Sequence, residues 1–68
     1  MRTLRGLEGA KVMVNLTNGD ALVGRLARTG RDYLDLTSTE LRSLQDSGSL
    51  DGTVIIPAAQ IAWVQVVG

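Results

Sequence analysis

The segment Val12–Thr37 constrains the fold more than any other part of the 68-residue chain. Apolar side chains recur there at every second position, which predicts β-strands with one face turned inward. Turn-forming residues interrupt the pattern at Asn18-Gly19 and again at Thr29–Arg31. Such residues suit the tight connections between neighbouring antiparallel strands. The segment therefore predicts three short antiparallel strands.

Two glycines in this segment have predicted structural roles. Asn18-Gly19 predicts a two-residue hairpin turn, because both residues tolerate positive φ. Gly24 lies in mid-strand, where it permits the sharp bend by which one strand serves two faces of a small barrel. The side chains expected to face the core are Ala10, Val12, Val14 and Leu16 on the first strand, Leu22 and Leu26 on the second, and Leu34 and Leu36 on the third.

The rest of the chain completes an all-β fold. Val54–Ile56 predicts a fourth strand that Pro57 ends, Ala58–Gln60 a tight 3₁₀ turn, and Ile61–Val67 the last strand. We therefore expect a single domain over residues 1–68, a five-stranded, strongly bent antiparallel small barrel.

Two segments are less regular. Thr3–Gly9 predicts a short N-terminal helix, and a disordered terminus that tucks two leucines against the barrel fits equally well. Residues 38–52 predict a variable, mobile loop. A capped helical turn at Thr37–Glu40 is the alternative within it.

The composition argues against most kinds of chemistry. The chain has neither His nor Cys, which removes the commonest general bases and nucleophiles, so we expect no enzyme, no metal site and no cofactor. Seven basic and seven acidic residues cancel, which argues against wrapping a polyanion without sequence preference. The apolar runs are too short to span a membrane, and the lack of Cys fits a reducing cytoplasm.

The last strand is apolar on both sides. Ile61, Trp63 and Val67 alternate with Ala62, Val64 and Val66, so neither face is suited to water. Natural proteins cover such an edge by pairing it. We expect pairing between subunits through Ala62, Trp63, Val64 and Val66, and the alternative is a monomer that covers this edge with its own N-terminal segment.

The order of these motifs resembles the Sm/LSm family, whose bacterial member is Hfq. The residues that carry the resemblance are the first-motif segments Val12–Gly19 and Leu22–Leu26 and the second-motif segment Val54–Val64. The resemblance implies a homo-oligomeric ring in which the fourth strand, with Val54, Ile55 and Ile56, pairs with the last strand of a neighbour. It also implies that RNA binds at the pore, between the loops Thr29–Tyr33 and Pro57–Gln60.

The chain departs from the family at the second of these loops. Pro57-Ala58-Ala59 stands where the family has Arg-Gly or Tyr-Lys-His, so charge and hydrogen-bond donors are missing there. Just after the first loop, Asp35 lies near the place of the family's Asn. Arg31 offers a cation for phosphate, and Tyr33 offers either a platform for a base or simple packing on its neighbours.

Two functions follow from this interpretation. The first is a non-enzymatic, ring-forming Sm-like structural or binding module. One protein that fits this description is a virion-associated accessory or scaffold subunit of viral or phage origin. The alternative is an RNA-binding Sm-like protein that uses Arg31, Tyr33 and Asp35.

Overall fold

A computed structural model describes residues 6–43 and 47–67 and shows a bent, all-β fold. The elements are β1 (Lys11–Leu16), β2 (Ala21–Thr29), β3 (Tyr33–Arg42), β4 (Ser47–Leu50), β5 (Val54–Pro57), a 3₁₀ turn (Ala58–Gln60) and β6 (Ile61–Val66). The strands lie in the order β4-β3-β2-β1-β6, β5 pairs with β3, and every pair is antiparallel. The predicted fold class is confirmed.

The core contains the side chains that the period of two predicts. The buried members of the cluster are Val12, Val14, Leu22, Leu26, Leu34, Leu36 and Ile56. Full burial of one such side chain contributes roughly 1.5–3 kcal/mol to folding. This aliphatic cluster, formed by β1, β2, β3 and β5, is what fixes the position of the connecting loops.

Gly24 lies at a close approach of β3 to β2. A Cβ atom at this position would lie 2.9 Å from the carbonyl oxygen of Thr37 and 3.0 Å from Thr39 Oγ1. The β2–β3 register shifts between Val23 and Arg25, and Ser38 on the facing strand has a φ of +50°. The close approach of the two backbones at this bulge is why position 24 has no room for a side chain, and the bend at Gly24 stays a prediction.

The connection between β1 and β2 is one residue longer than the sequence predicts. The amide of Gly19 donates to the carbonyl of Leu16, and the amide of Leu16 donates to the carbonyl of Asp20, which leaves three residues in the turn. Gly19 has a φ of +96°, whereas Asn18 is not among the residues with positive φ. The two-residue primed turn is wrong, because a type I turn followed by one left-handed glycine closes this hairpin.

Most of the predicted loop over residues 38–52 is a β-hairpin. β3 continues to Arg42, and its outer half pairs with β4, from Thr39 opposite Leu50 to Arg42 opposite Ser47. The loop prediction is wrong for these strands, and so is the helical turn at Thr37–Glu40. The hairpin was missed because Ser, Thr and Gly dominate it, so that pairing of the backbone replaces apolar alternation as its organising force.

Hydrogen bonds connect the N-terminal segment to β2. Residues 1–5 of the predicted helix Thr3–Gly9 lie outside the described residues, and Gly6 and Leu7 form part of a 3₁₀ turn. Leu7 packs against the core. The amide of Gly9 donates to the carbonyl of Leu26 at 2.7 Å. Glu8 Oε2 accepts from the amide of Thr29 at 3.0 Å and from its hydroxyl at 3.3 Å.

The two faces of β6 differ from the prediction. The β1–β6 register shifts between Asn15 and Leu16, which leaves Ala62 as an extra residue on β6. Ile61 and Val64, three positions apart, consequently both pack against the core. The predicted strict alternation is wrong at this point, because a bulge reverses the alternation of side chains after it.

Candidate nucleic-acid interface and strand edges

The two loops that the family resemblance assigns to RNA lie side by side. The amide of Ala58 donates to the carbonyl of Asp32 at 2.7 Å, and Tyr33 lies opposite Pro57 in the β3–β5 register. Pro57 ends the ladder because it has no N–H, and the 3₁₀ turn then carries the chain to β6. The arrangement brings Thr29–Tyr33 and Pro57–Gln60 to one end of the sheet.

Tyr33 is held against the backbone of the first loop. Its ring occupies the space that a Cβ atom on Gly30 would need, and the amide of Gly30 donates to the carbonyl of Tyr33 at 2.9 Å. The side chain is half-buried. A glycine at position 30 therefore positions the ring, and the part of the ring that remains accessible is available for stacking.

Asp35 follows Tyr33 on the same face of β3, because alternate residues of a strand point the same way. It is half-buried, and its Oδ1 atom is enclosed without a hydrogen-bond partner among the described residues. Arg31 is exposed in the loop that precedes β3. The structure thus brings together Tyr33 and Asp35, with Arg31 two residues upstream of Tyr33.

The second loop supplies little to this site. Pro57–Gln60 carries no charged residue, and its polar side chain, Gln60, is exposed. The described part of the chain contains no group of three or more His, Cys, Asp or Glu residues arranged to hold a metal ion. None of its helical segments has the length and apolar character needed to cross a membrane.

Three strands, β4, β5 and β6, each have one edge without a partner within residues 6–43 and 47–67, and β4 pairs with β3 alone. In this part of the chain β5 pairs with β3 alone, and β6 pairs with β1 alone. Large apolar side chains stand exposed on both strands: Ile55 is 65% exposed, Trp63 60% and Val66 53%. The sequence predicts a subunit interface on these two strands.

The predicted interface residues divide into two groups. Ile55, Ala62, Trp63 and Val66 are exposed and offer their side chains to a partner. Val54 and Val64 are half-buried against the core, and Ile56 is only 4% exposed. The side chain of Ile56 belongs to the core, so its contribution to an interface is confined to its backbone.

One group of charged residues was missed by the sequence reasoning. Lys11, Arg25, Glu40 and Arg42 line a groove across β1, β2 and β3. The signal that could have found the group is a three-residue turn at residues 17–19, because that turn places Lys11 opposite Arg25.

Comparisons with known proteins find matches among solved structures and none among family models or curated proteins. No protein-family model matches the chain, and no curated protein matches it. Solved structures match along almost the whole chain. A heptameric archaeal Sm protein superimposes with a TM-score of 0.85 at 20% identity, and the match covers 100% of both chains. The fold is Sm-like. The SmAP1 heptamer of P. aerophilum matches with a TM-score of 0.83 at 20% identity, over 98% of this chain and 90% of the other.

A third match comes from a structure that is not described as an Sm protein. A chain in the crystal structure of the NatC complex bound to CoA matches with a TM-score of 0.82 at 26% identity, over 93% of this chain and 82% of that one. The two archaeal proteins are heptamers, whereas this third structure is a complex. The likeness therefore establishes the fold, and function has to be argued from the surface of this chain.

Proposed function

We propose that the chain is a non-enzymatic, ring-forming Sm-like module whose function depends on the assembled ring. The observation that carries this proposal is the pair of free, apolar strand edges, β5 and β6, at different places on one subunit. Contact between two different surfaces is head-to-tail, and a head-to-tail contact closes into a ring when the rotation between subunits permits it. The heptameric state of the archaeal Sm proteins supports this choice over an open filament.

The small size of the chain favours assembly. A domain of about 60 residues buries only about 60% of the surface that its unfolded chain exposes, and such a domain is often stabilised by a disulfide, a metal or association. The sequence contains no Cys that could form a disulfide. Pairing of β5 with β6 of the next subunit would satisfy edge amides and carbonyls and cover Ile55 and Trp63.

Light scattering on size-separated protein tests the assembly. The wild-type chain is expected at a multiple of its 7.2 kDa monomer mass. Ile55→Lys places a charge on an exposed edge position without entering the core, and it is expected to shift the protein towards the monomer. Ala27→Lys is the matched control, because Ala27 is exposed on β2, a strand with neighbours on both sides.

One result for Ile55→Lys would contradict assembly through β5. If Ile55→Lys keeps the wild-type mass while it remains folded by circular dichroism, β5 is not an assembly edge. Val64→Asp is a poor substitute for this variant, because Val64 packs against the core and its replacement would also destabilise the subunit.

RNA binding is a second candidate function, and the contact between the two loops at Asp32 and Ala58 favours it. In this hypothesis a base stacks on Tyr33, Arg31 binds a phosphate, and the carboxylate of Asp35 accepts a hydrogen bond from a base. The absence of a cation from Pro57–Gln60 is the reason that RNA binding ranks second.

Fluorescence anisotropy with labelled oligo-U and oligo-A tests RNA binding at low and moderate salt. Binding is expected to weaken with salt, because phosphate contacts release counterions. Tyr33→Ala is expected to cost about 1–3 kcal/mol per stacked base, and Tyr33→Phe should retain most of that stacking. Equal affinity of wild type and Tyr33→Ala would remove this site from consideration.

A further inference from the structure

A groove with a volume of about 240 Å³ crosses β1, β2 and β3 and plays no part in the functions proposed above. Its lining combines charged side chains with a hydroxyl and small residues: Lys11, Val23, Gly24, Arg25, Ser38, Glu40 and Arg42. One subunit supplies all of these residues. The groove is consequently complete whether or not the chain assembles into a ring.

Two cations face each other in this groove. Lys11 and Arg25 are direct partners in the antiparallel β1–β2 register, and both are exposed. Side chains at directly opposite positions have Cβ atoms about 4.5–5.5 Å apart, and like charges placed in this way destabilise a sheet. An anion bound between them would remove the repulsion.

The remaining charges in the groove largely neutralise each other. Glu40 is the one acidic residue of the lining among the described residues, and its Oε2 lies 3.5 Å from Arg42 Nη2. Lys11 and Arg25 therefore leave an excess of two positive charges. Arg25 is also fixed in place, since its Nη1 donates to the carbonyl of Gly9 at 2.7 Å. This bond uses one of the five N–H donors of the guanidinium group.

We propose that this groove binds a phosphate monoester dianion, with Lys11 and Arg25 as its principal ligands and Ser38 as a hydroxyl donor. A phosphate monoester carries about −1.5 to −2 charges at pH 7, because its second pKa is about 6. This charge matches the excess in the groove, whereas a phosphodiester or a carboxylate carries one charge. Arginine suits the role because its planar fork pairs with two phosphate oxygens.

Titration with inorganic phosphate tests the proposal, followed through the backbone amide resonances of Gly24, Arg25 and Ser38. At pH 7.5 phosphate is expected to shift these resonances in a saturable manner. At pH 5.5 its affinity is expected to fall several-fold, because most of the ligand then carries a single charge. Sulfate is the control ligand, since it remains a dianion at both pH values and its affinity should change much less.

Variants locate the site. Lys11→Gln is expected to lower phosphate affinity about tenfold or more, as for the loss of a charge-assisted hydrogen bond. The same substitution is expected to raise the Tm of the free protein, because it removes the repulsion with Arg25. Arg28→Gln is the matched control: Arg28 is exposed on the same strand as Arg25, does not line the groove, and should bind phosphate within about twofold of wild type.

Three results would overturn the proposal: no saturable shifts at millimolar phosphate, the same loss of affinity for Arg28→Gln as for Lys11→Gln, or a parallel fall of phosphate and sulfate affinity between pH 7.5 and 5.5. Adenosine 5′-monophosphate and a 5′-phosphorylated oligonucleotide then identify the source of the phosphate. Tighter binding of the first indicates a nucleotide, and tighter binding of the second indicates an RNA end. A 5′-hydroxyl oligonucleotide should gain nothing from the groove.

Discussion

At the scale of single residues, the fold depends most on a glycine that allows two strands to touch. Gly24 faces the carbonyl of Thr37 and the hydroxyl of Thr39, and Thr39 is fully buried with an Oγ1 atom that has no hydrogen-bond partner among the described residues. A side chain at position 24 has no space to occupy unless β3 moves away. The bend of the barrel is therefore expected to be sensitive to a single methyl group.

Gly24→Ala is predicted to lower the free energy of unfolding by about 1–3 kcal/mol, the usual cost of forcing extra atoms into a packed site. Chemical denaturation at a fixed protein concentration measures the change. Gly48→Ala is the control, because a Cβ atom at position 48 has nothing within 4 Å. That substitution should be neutral or slightly stabilising, and equal destabilisation by the two would show that crowding at Gly24 does not matter.

Single residues also show what the sequence could and could not predict. The core positions Val12, Leu26 and Leu34 followed from alternation alone, because a half-buried strand needs one apolar face. The partners of a surface side chain depend on register, and the pairing of Lys11 with Arg25 emerged only once the turn was fixed. The contact between Asp32 and Ala58 likewise joins loops that are distant in sequence.

At the scale of elements, the carboxylate of Glu8 connects the N-terminal segment to the end of β2. Glu8 Oε2 accepts two hydrogen bonds from Thr29, the last residue of β2. Thr29 also begins the first of the two loops at the candidate site. The link therefore joins the N-terminal segment to the position of that loop.

Glu8→Ala is predicted to lower the free energy of unfolding by about 0.5–1.5 kcal/mol, the net value of a hydrogen bond in a folded protein. The amide of Thr29 should exchange faster with solvent, which hydrogen-exchange NMR measures directly. Glu8→Gln retains an acceptor oxygen and should protect the Thr29 amide better than Glu8→Ala does. If Thr29 exchanges at the wild-type rate in both variants, the link is not significant.

The elements that escaped prediction share a physical cause. The outer half of β3 and the whole of β4 carry mostly polar or small residues, so no alternation marks them, and backbone pairing organises them. The bulge at Ala62 also left no signal in the sequence, although it decides which side chains of β6 face the core. Alternation of apolar and polar residues predicts strands with a buried face, but it does not predict exposed hairpins or bulges.

At the scale of the whole molecule, we propose that each subunit joins two others through two different edges. β5 and β6 lie at separate positions in the sheet order, and each exposes a large apolar side chain. A two-fold dimer would instead use one edge twice. Variants that block one edge at a time distinguish these two kinds of assembly, because the two kinds predict different oligomer masses.

The most direct test is native mass spectrometry on Ile55→Lys, on Trp63→Lys and on their equimolar mixture. Each variant has one blocked edge and keeps the other. Head-to-tail pairing predicts a 7.2 kDa monomer for each variant alone and a heterodimer of twice that mass in the mixture, formed through the two intact edges. Homodimers of either variant alone, or a mixture that remains monomeric while the wild type forms a ring, would rule out head-to-tail pairing of β5 with β6.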